Sequence, residues 1–115
     1  MGYKNFIDST YDSMVGRLSR KQRATLNKLF VRPTLAGITF SEIESLLSAC
    51  GAAKSNRGKT SGSRIGFMLT VGGKDYTFLL HKPHPGNEMR KYMVEQIAER
   101  FQAIRDDQPE NGDIQ

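Results

Sequence analysis

RIGFMLTVGGKDYTFLLH, residues 64–81, decides the fold. Apolar side chains alternate on both sides of Gly72-Gly73: Ile65, Phe67, Leu69 and Val71 before it, Tyr76, Phe78 and Leu80 after it. Such alternation marks a strand with one buried face, and a glycine pair between two strands makes a two-residue primed turn. The turn fixes the pairing. With Val71 facing Lys74, Leu69 meets Tyr76, Phe67 meets Phe78 and Ile65 meets Leu80, so this face is core. The other face pairs Met68 with Thr77, Gly66 with Leu79 and Arg64 with His81. A slip of one residue would turn His81 onto the opposite face.

Helices flank the hairpin. Upstream, Ser41 and Glu44 fit a capping box, and Ile43, Leu46, Leu47 and Cys50 form an apolar stripe. With Gly51 as the left-handed stop, this is a helix over 41–50. At this spacing Cys50 reads as a packing residue rather than a nucleophile. Residues 52–62 (AAKSNRGKTSG) read as a short edge strand at 52–56 running into a loop. A second capping box, Ser19 with Gln22, opens a helix with Ala24, Leu26, Leu29 and Phe30, which must stop before Pro33. Weaker helical spacing places a short helix near 10–18. Downstream, Asn87 is a good N-cap and Glu88 suits the positive end of a helix dipole. Tyr92, Met93, Ile97, Phe101 and Ile104 give that last helix, 88–105, its buried face.

The expected fold is α+β, with the α-β-β-β-α order of a double-stranded-RNA-binding-domain-like unit. In it two helices cover one face of a three-stranded antiparallel sheet. Three segments follow: an N-terminal helical extension at 1–33, the α-β-β-β-α domain at 34–105, and a disordered acidic tail at 106–115.

Charge is uneven along the chain. Net charge is +5 over residues 1–33, +4 over 34–105 and −4 over the last ten, DDQPENGDIQ. A body this basic points to a polyanionic partner, because Lys and Arg gain affinity by displacing counterions condensed on phosphates. The run Arg17, Arg20, Lys21 and Arg23 fits either a phosphate-binding stripe or a solvated helix face. No apolar run is long enough to cross a bilayer and no basic-then-apolar leader opens the sequence, so a cytoplasmic location is expected.

Three pieces carry a family resemblance: SEIESLLSACG (41–51), SGSRIGF (61–67) and HPGNE (84–88). In their order and spacing, from about Lys21 to Phe101, the chain resembles the HicA toxins of bacterial type II toxin–antitoxin modules. RKQRATLNKLFVRPT (20–34) looks like the helical extension of a longer HicA-like subgroup. The resemblance implies a cytosolic ribonuclease that cleaves messenger RNA without a metal or other cofactor and is neutralised by a HicB-type antitoxin. One position departs from the family. Its usual Gly-Ser-His, which carries the catalytic histidine, is here Gly62-Ser63-Arg64. Arginine stays protonated and cannot act as a general base. The family's second histidine aligns with His84.

The hairpin register offers a replacement for the missing base. His81 lies across from Arg64, and facing Cβ atoms in a ladder are about 4.5–5.5 Å apart. RNA cleavage needs a base for the 2′-hydroxyl, an acid for the leaving 5′-oxygen and cations beside the phosphorane. His81 and His84 suit proton transfer. Lys59, Arg64 and Lys82 suit phosphate binding, Gly58 and Gly62 would let backbone approach a phosphate, and Ser63 joins the same phosphate-binding set. HKPHP (81–85) is therefore expected to be an active-site edge, with Pro83 and Pro85 ending sheet pairing. Metal ligation by the two histidines would offer only two nitrogens, whose convergence Pro83 limits. Two other readings fit the same residues: a catalytically silent RNA-binding module, and a protein-interaction subunit whose basic face meets an acidic partner.

Overall fold

The computed structural model describes residues 10–55 and 64–108. Its elements, in chain order, are α1 (Tyr11–Gly16), α2 (Arg20–Leu29), α3 (Phe40–Ala49), β1 (Ala53–Ser55), β2 (Arg64–Val71), β3 (Lys74–His81) and α4 (Lys91–Asp107). The fold is α+β, with one antiparallel sheet in the order β1-β2-β3. The sequence runs α-β-β-β-α from α3 onward, preceded, among the described residues, by two helices.

The hairpin has the expected register throughout. Phe67 pairs with Phe78, Leu69 with Tyr76, and Arg64 with His81. Gly72 and Gly73 have φ of +61° and +82°, which a primed two-residue turn requires and which L side chains resist. Phe67, Leu69, Val71, Tyr76, Phe78 and Leu80 are all buried, so the helices cover that face. Met68 and Leu79, on the other face, stay open to solvent. The edge strand β1 begins at Ala53, one residue later than expected. Lys54 pairs with Phe67 and reaches from the covered face to the Glu44 carboxylate, 2.7 Å away.

Helix α3 begins earlier than the Ser41–Glu44 pattern indicates. Thr39 is its N-cap: Thr39 Oγ1 accepts from the Glu42 amide and Glu42 Oε1 accepts from the Thr39 amide. Two overlapping capping boxes compete in this stretch, and burial decides between them. With Thr39 as cap, Ile38 and Ile43 fall at the two positions of a hydrophobic staple, and both are buried. With Ser41 as cap, the second staple position would be Ser45, which is exposed. The C-terminus closes as expected, with Gly51 at φ +98°. The Ala52 amide bonds to the Leu47 carbonyl and the Gly51 amide to that of Ser48, the two bonds of a Schellman ending.

Helix α2 has the expected Ser19–Gln22 capping box. It buries Thr25, Leu26 and Leu29, while Ala24 and Phe30 face outward. Met14 and Leu18, from in and after α1, join the same core as Leu26, Leu29 and the sheet. The described part of the N-terminal segment, residues 10–33, thus packs on the domain and shares its core. Arg23 ties the pieces, its Nη2 donating to the Val15 and Leu18 carbonyls.

Helix α4 starts at Lys91, after an Arg90 cap that makes no side-chain hydrogen bond, and not at 88. Its buried stripe is Met93, Val94, Ile97, Ala98, Phe101 and Ile104, and the Phe101 ring lies 5.3 Å from that of Phe78. Tyr92 is outside the stripe and 51% exposed, contrary to its expected burial. The helix also runs past Arg105. Asp107 Oδ2 accepts from the Tyr76 hydroxyl at 2.8 Å and from Lys74 Nζ at 3.1 Å, so residues 106 and 107 belong to the fold and not to a tail. Burial and the Asp107 carboxylate together push the Tyr76 hydroxyl up to about 12. Gln108 caps the helix end, its Nε2 donating to the Ile104 carbonyl at 3.0 Å, and the expected disorder of 109–115 falls outside the described residues.

Candidate functional site

Strand β3 ends at His81, where Pro83 and Pro85 leave no amides to continue a ladder. His81, Lys82 and His84 are exposed and Pro83 is half-buried. The chain then turns through Gly86 at φ +91° and is clamped onto the start of α3. The Phe40 amide donates to the Asn87 carbonyl at 2.7 Å, and the Met89 amide to the Ile38 carbonyl at 2.8 Å. Asn87 Oδ1 accepts from the Ser41 amide at 2.9 Å, and its Nδ2 donates to Ser41 Oγ at 3.1 Å.

These contacts explain why Asn87 does not cap α4. The first three amides of α3 are satisfied by the Asn87 carbonyl, by Asn87 Oδ1 and by Thr39 Oγ1 in turn. Glu88 is likewise engaged elsewhere, its Oε2 accepting from the Gly37 amide at 2.9 Å. The turn that carries HKPHP is thus anchored by a helix 46 residues away in sequence, and Met89, which follows it, is buried.

A cleft of about 360 Å³ opens beside this turn, lined by His81, Lys82, His84, Glu88, Arg90 and Tyr92 among others. Arg64 lies directly across the ladder from His81 and is exposed. Four of the expected site residues (His81, His84, Arg64 and Lys82) therefore gather at one end of the sheet. Lys82 Nζ also sits 5.8 Å from the centre of the Phe40 ring, a cation–π contact that holds its stem against α3. Gly58, Lys59, Gly62 and Ser63 lie outside the described residues.

The sequence reading missed Arg90 and Tyr92. Both come to the cleft because α4 begins late and its buried stripe runs through Met93 and Val94. A signal was available: Val94 and Ala98 extend an apolar stripe that leaves Tyr92 at its margin. A second groove of about 360 Å³ runs between β3 and α4, past Leu79, Gln96, Glu99 and Arg100. It holds neither histidine and offers one cation beside one acid, so HKPHP is the better candidate for anion chemistry.

Other groups have structural partners. Cys50 is buried, and that burial pushes its thiol up to about 12, with Arg17 opposing weakly. A thiol so held is a packing group, not a nucleophile. Among the described residues, no three His, Cys, Asp or Glu side chains are grouped to hold a metal ion. No described helix is long and apolar enough to cross a membrane. No family model, curated protein or solved structure matches the chain.

Proposed function

We propose that this protein is a HicA-like ribonuclease acting on messenger RNA without a metal, with HKPHP as its active-site edge and a HicB-type antitoxin as its partner. The observation that carries the reading is the pairing of Arg64 with His81 beside the cleft that also holds His84. A fixed cation and two solvent-accessible imidazoles at one end of a sheet supply the groups that transesterification of RNA requires.

In this mechanism one imidazole takes the proton of a ribose 2′-hydroxyl, and that oxygen attacks the adjacent phosphorus. The bond to the 5′-oxygen breaks, and the other imidazole gives that oxygen a proton. The products are a 2′,3′-cyclic phosphate and a 5′-hydroxyl. His81 is assigned the base, since it faces Arg64, whose guanidinium offsets the charge that accumulates on the phosphorane. His84 is assigned the acid. Lys82 and Arg90 hold neighbouring phosphates, and the expected loop residues Lys59, Gly62 and Ser63 would add to that grip.

The test is cleavage of long single-stranded RNA in EDTA. His81→Ala is expected to lower the rate by about 10²–10⁴, the usual worth of a proton-transfer group, with an unchanged thermal midpoint because His81 is exposed. His84→Ala should cost less. Full activity in His81→Ala overturns the catalytic assignment. The replacement of the family's histidine by Arg64 favours a second reading, an RNA-binding module without chemistry. Wild-type protein that binds RNA but leaves it intact decides for that reading.

A further inference from the structure

Single-stranded and duplex RNA differ in what they offer a protein. A duplex presents phosphates and riboses and hides its base faces in the stack. A single strand presents phosphates together with bases that can be splayed onto an aromatic side chain. A site for single strands therefore pairs cations with an exposed aromatic surface.

The cleft at HKPHP has both features. Tyr92, in the first turn of α4, is 51% exposed although its neighbours Met93 and Val94 are buried. Its hydroxyl has no hydrogen-bond partner among the described residues. It shares the cleft with Lys82, Arg90 and both histidines. The acid in that wall, Glu88, has its carboxylate engaged by the Gly37 amide. Among the described residues, the other large apolar side chains open to solvent, Phe30, Val31, Met68 and Leu79, lie outside this cleft.

We infer that Tyr92 is a base-stacking residue, and that the cleft takes single-stranded RNA by holding an unpaired base on the Tyr92 ring while the cations beside it hold the flanking phosphates. This rests on the RNA reading above, but not on cleavage: it holds for a nuclease and for a silent binding module alike. Tyr92 is a recognition residue here and takes no part in proton transfer.

The chain contains no tryptophan, so Tyr92→Trp places a unique fluorophore in the cleft. The full chain is titrated with a 2′-O-methylated single-stranded oligonucleotide, with the same strand as a blunt duplex, and with inorganic polyphosphate. Quenching is expected with the single strand and not with polyphosphate. In parallel, Tyr92→Ala should bind the single strand about 5- to 150-fold more weakly, the range set by loss of one base–aromatic stack. Tyr92→Phe, which keeps the ring, should bind as the wild type does, and polyphosphate binding should be equal in all three. Wild-type affinity for the single strand in Tyr92→Ala overturns the inference and leaves the RNA reading standing, as does equal quenching by polyphosphate. Failure of the unsubstituted protein to bind any RNA overturns both. If Tyr92→Ala does not fold, the fluorescence titration still decides.

Discussion

Asn87→Ala should destabilise the protein through a helix that Asn87 does not belong to. The substitution removes the acceptor at 2.9 Å from the Ser41 amide and the donor at 3.1 Å from Ser41 Oγ. The first bond satisfies one of the orphan amides at the start of α3, and loss of such a cap costs about 0.5–2 kcal/mol, typically about 1. The second joins two exposed side chains, and water replaces it at small cost. A total of about 1 kcal/mol corresponds to a drop of about 3–6 °C in thermal midpoint for a domain of this size. Asn87→Asp keeps the acceptor and brings a negative charge to the positive end of α3, worth about 0.3–1 kcal/mol, so it should remain near the wild type.

Urea unfolding of Asn87→Ala gives the size of the loss, and Ser41→Ala, which keeps the Ser41 amide and its bond to Asn87 Oδ1, should cost less. Amide hydrogen exchange gives the residue-level readout, since Ser41 should lose protection in Asn87→Ala. Wild-type stability in Asn87→Ala, or unchanged exchange at Ser41, would refute the assignment of Asn87 to α3.

Two further predictions concern the core and acid stability. Phe101→Ala should cost about 3–5 kcal/mol by urea unfolding, because Phe101 is fully buried and packs against Phe78; a loss under 1 kcal/mol would contradict the described packing. Glu42 is held below its ordinary value of 4.5, chiefly by its bond from the Thr39 amide and then by Lys28. A carboxyl lowered in the folded state leaves the unfolded chain binding more protons, so its contribution is full above about pH 4.5 and is lost as pH falls through the folded value. Glu42→Gln should therefore flatten the fall of stability on acidification below that pH, as followed by circular dichroism, and an unchanged acid limb would count against the capping box.

Much of the fold could be read locally. Alternation around Gly72-Gly73 determined both strands, their register and the pairing of Arg64 with His81, because a two-residue turn leaves no slack and a buried face forbids a slip. Ser19–Gln22 and Gly51 determined helix ends for the same kind of reason: the groups that satisfy the backbone are within a few residues. The exposure of HKPHP followed from two prolines at a strand end.

Tertiary structure decided whatever had two local solutions or a distant partner. Both Thr39–Glu42 and Ser41–Glu44 satisfy a capping box, and only burial of Ile38, Phe40 and Ile43 selects the first. Asn87 and Glu88 have the right chemistry to start a helix. Their hydrogen bonds go instead to Ser41 and Gly37, which the chain brings alongside from the other end of the domain. Asp107 extends α4 because Tyr76 and Lys74, on β3, reach it. Delaying the start of α4 and fixing its buried stripe on Met93 and Val94 turned Tyr92 outward into the cleft with the histidines. Sequence determined which groups were available at the sheet end, and only the packing of α4 and α3 against the sheet decided which of them face the same space, since hydrogen-bond partners and burial are set by neighbours in space and not along the chain.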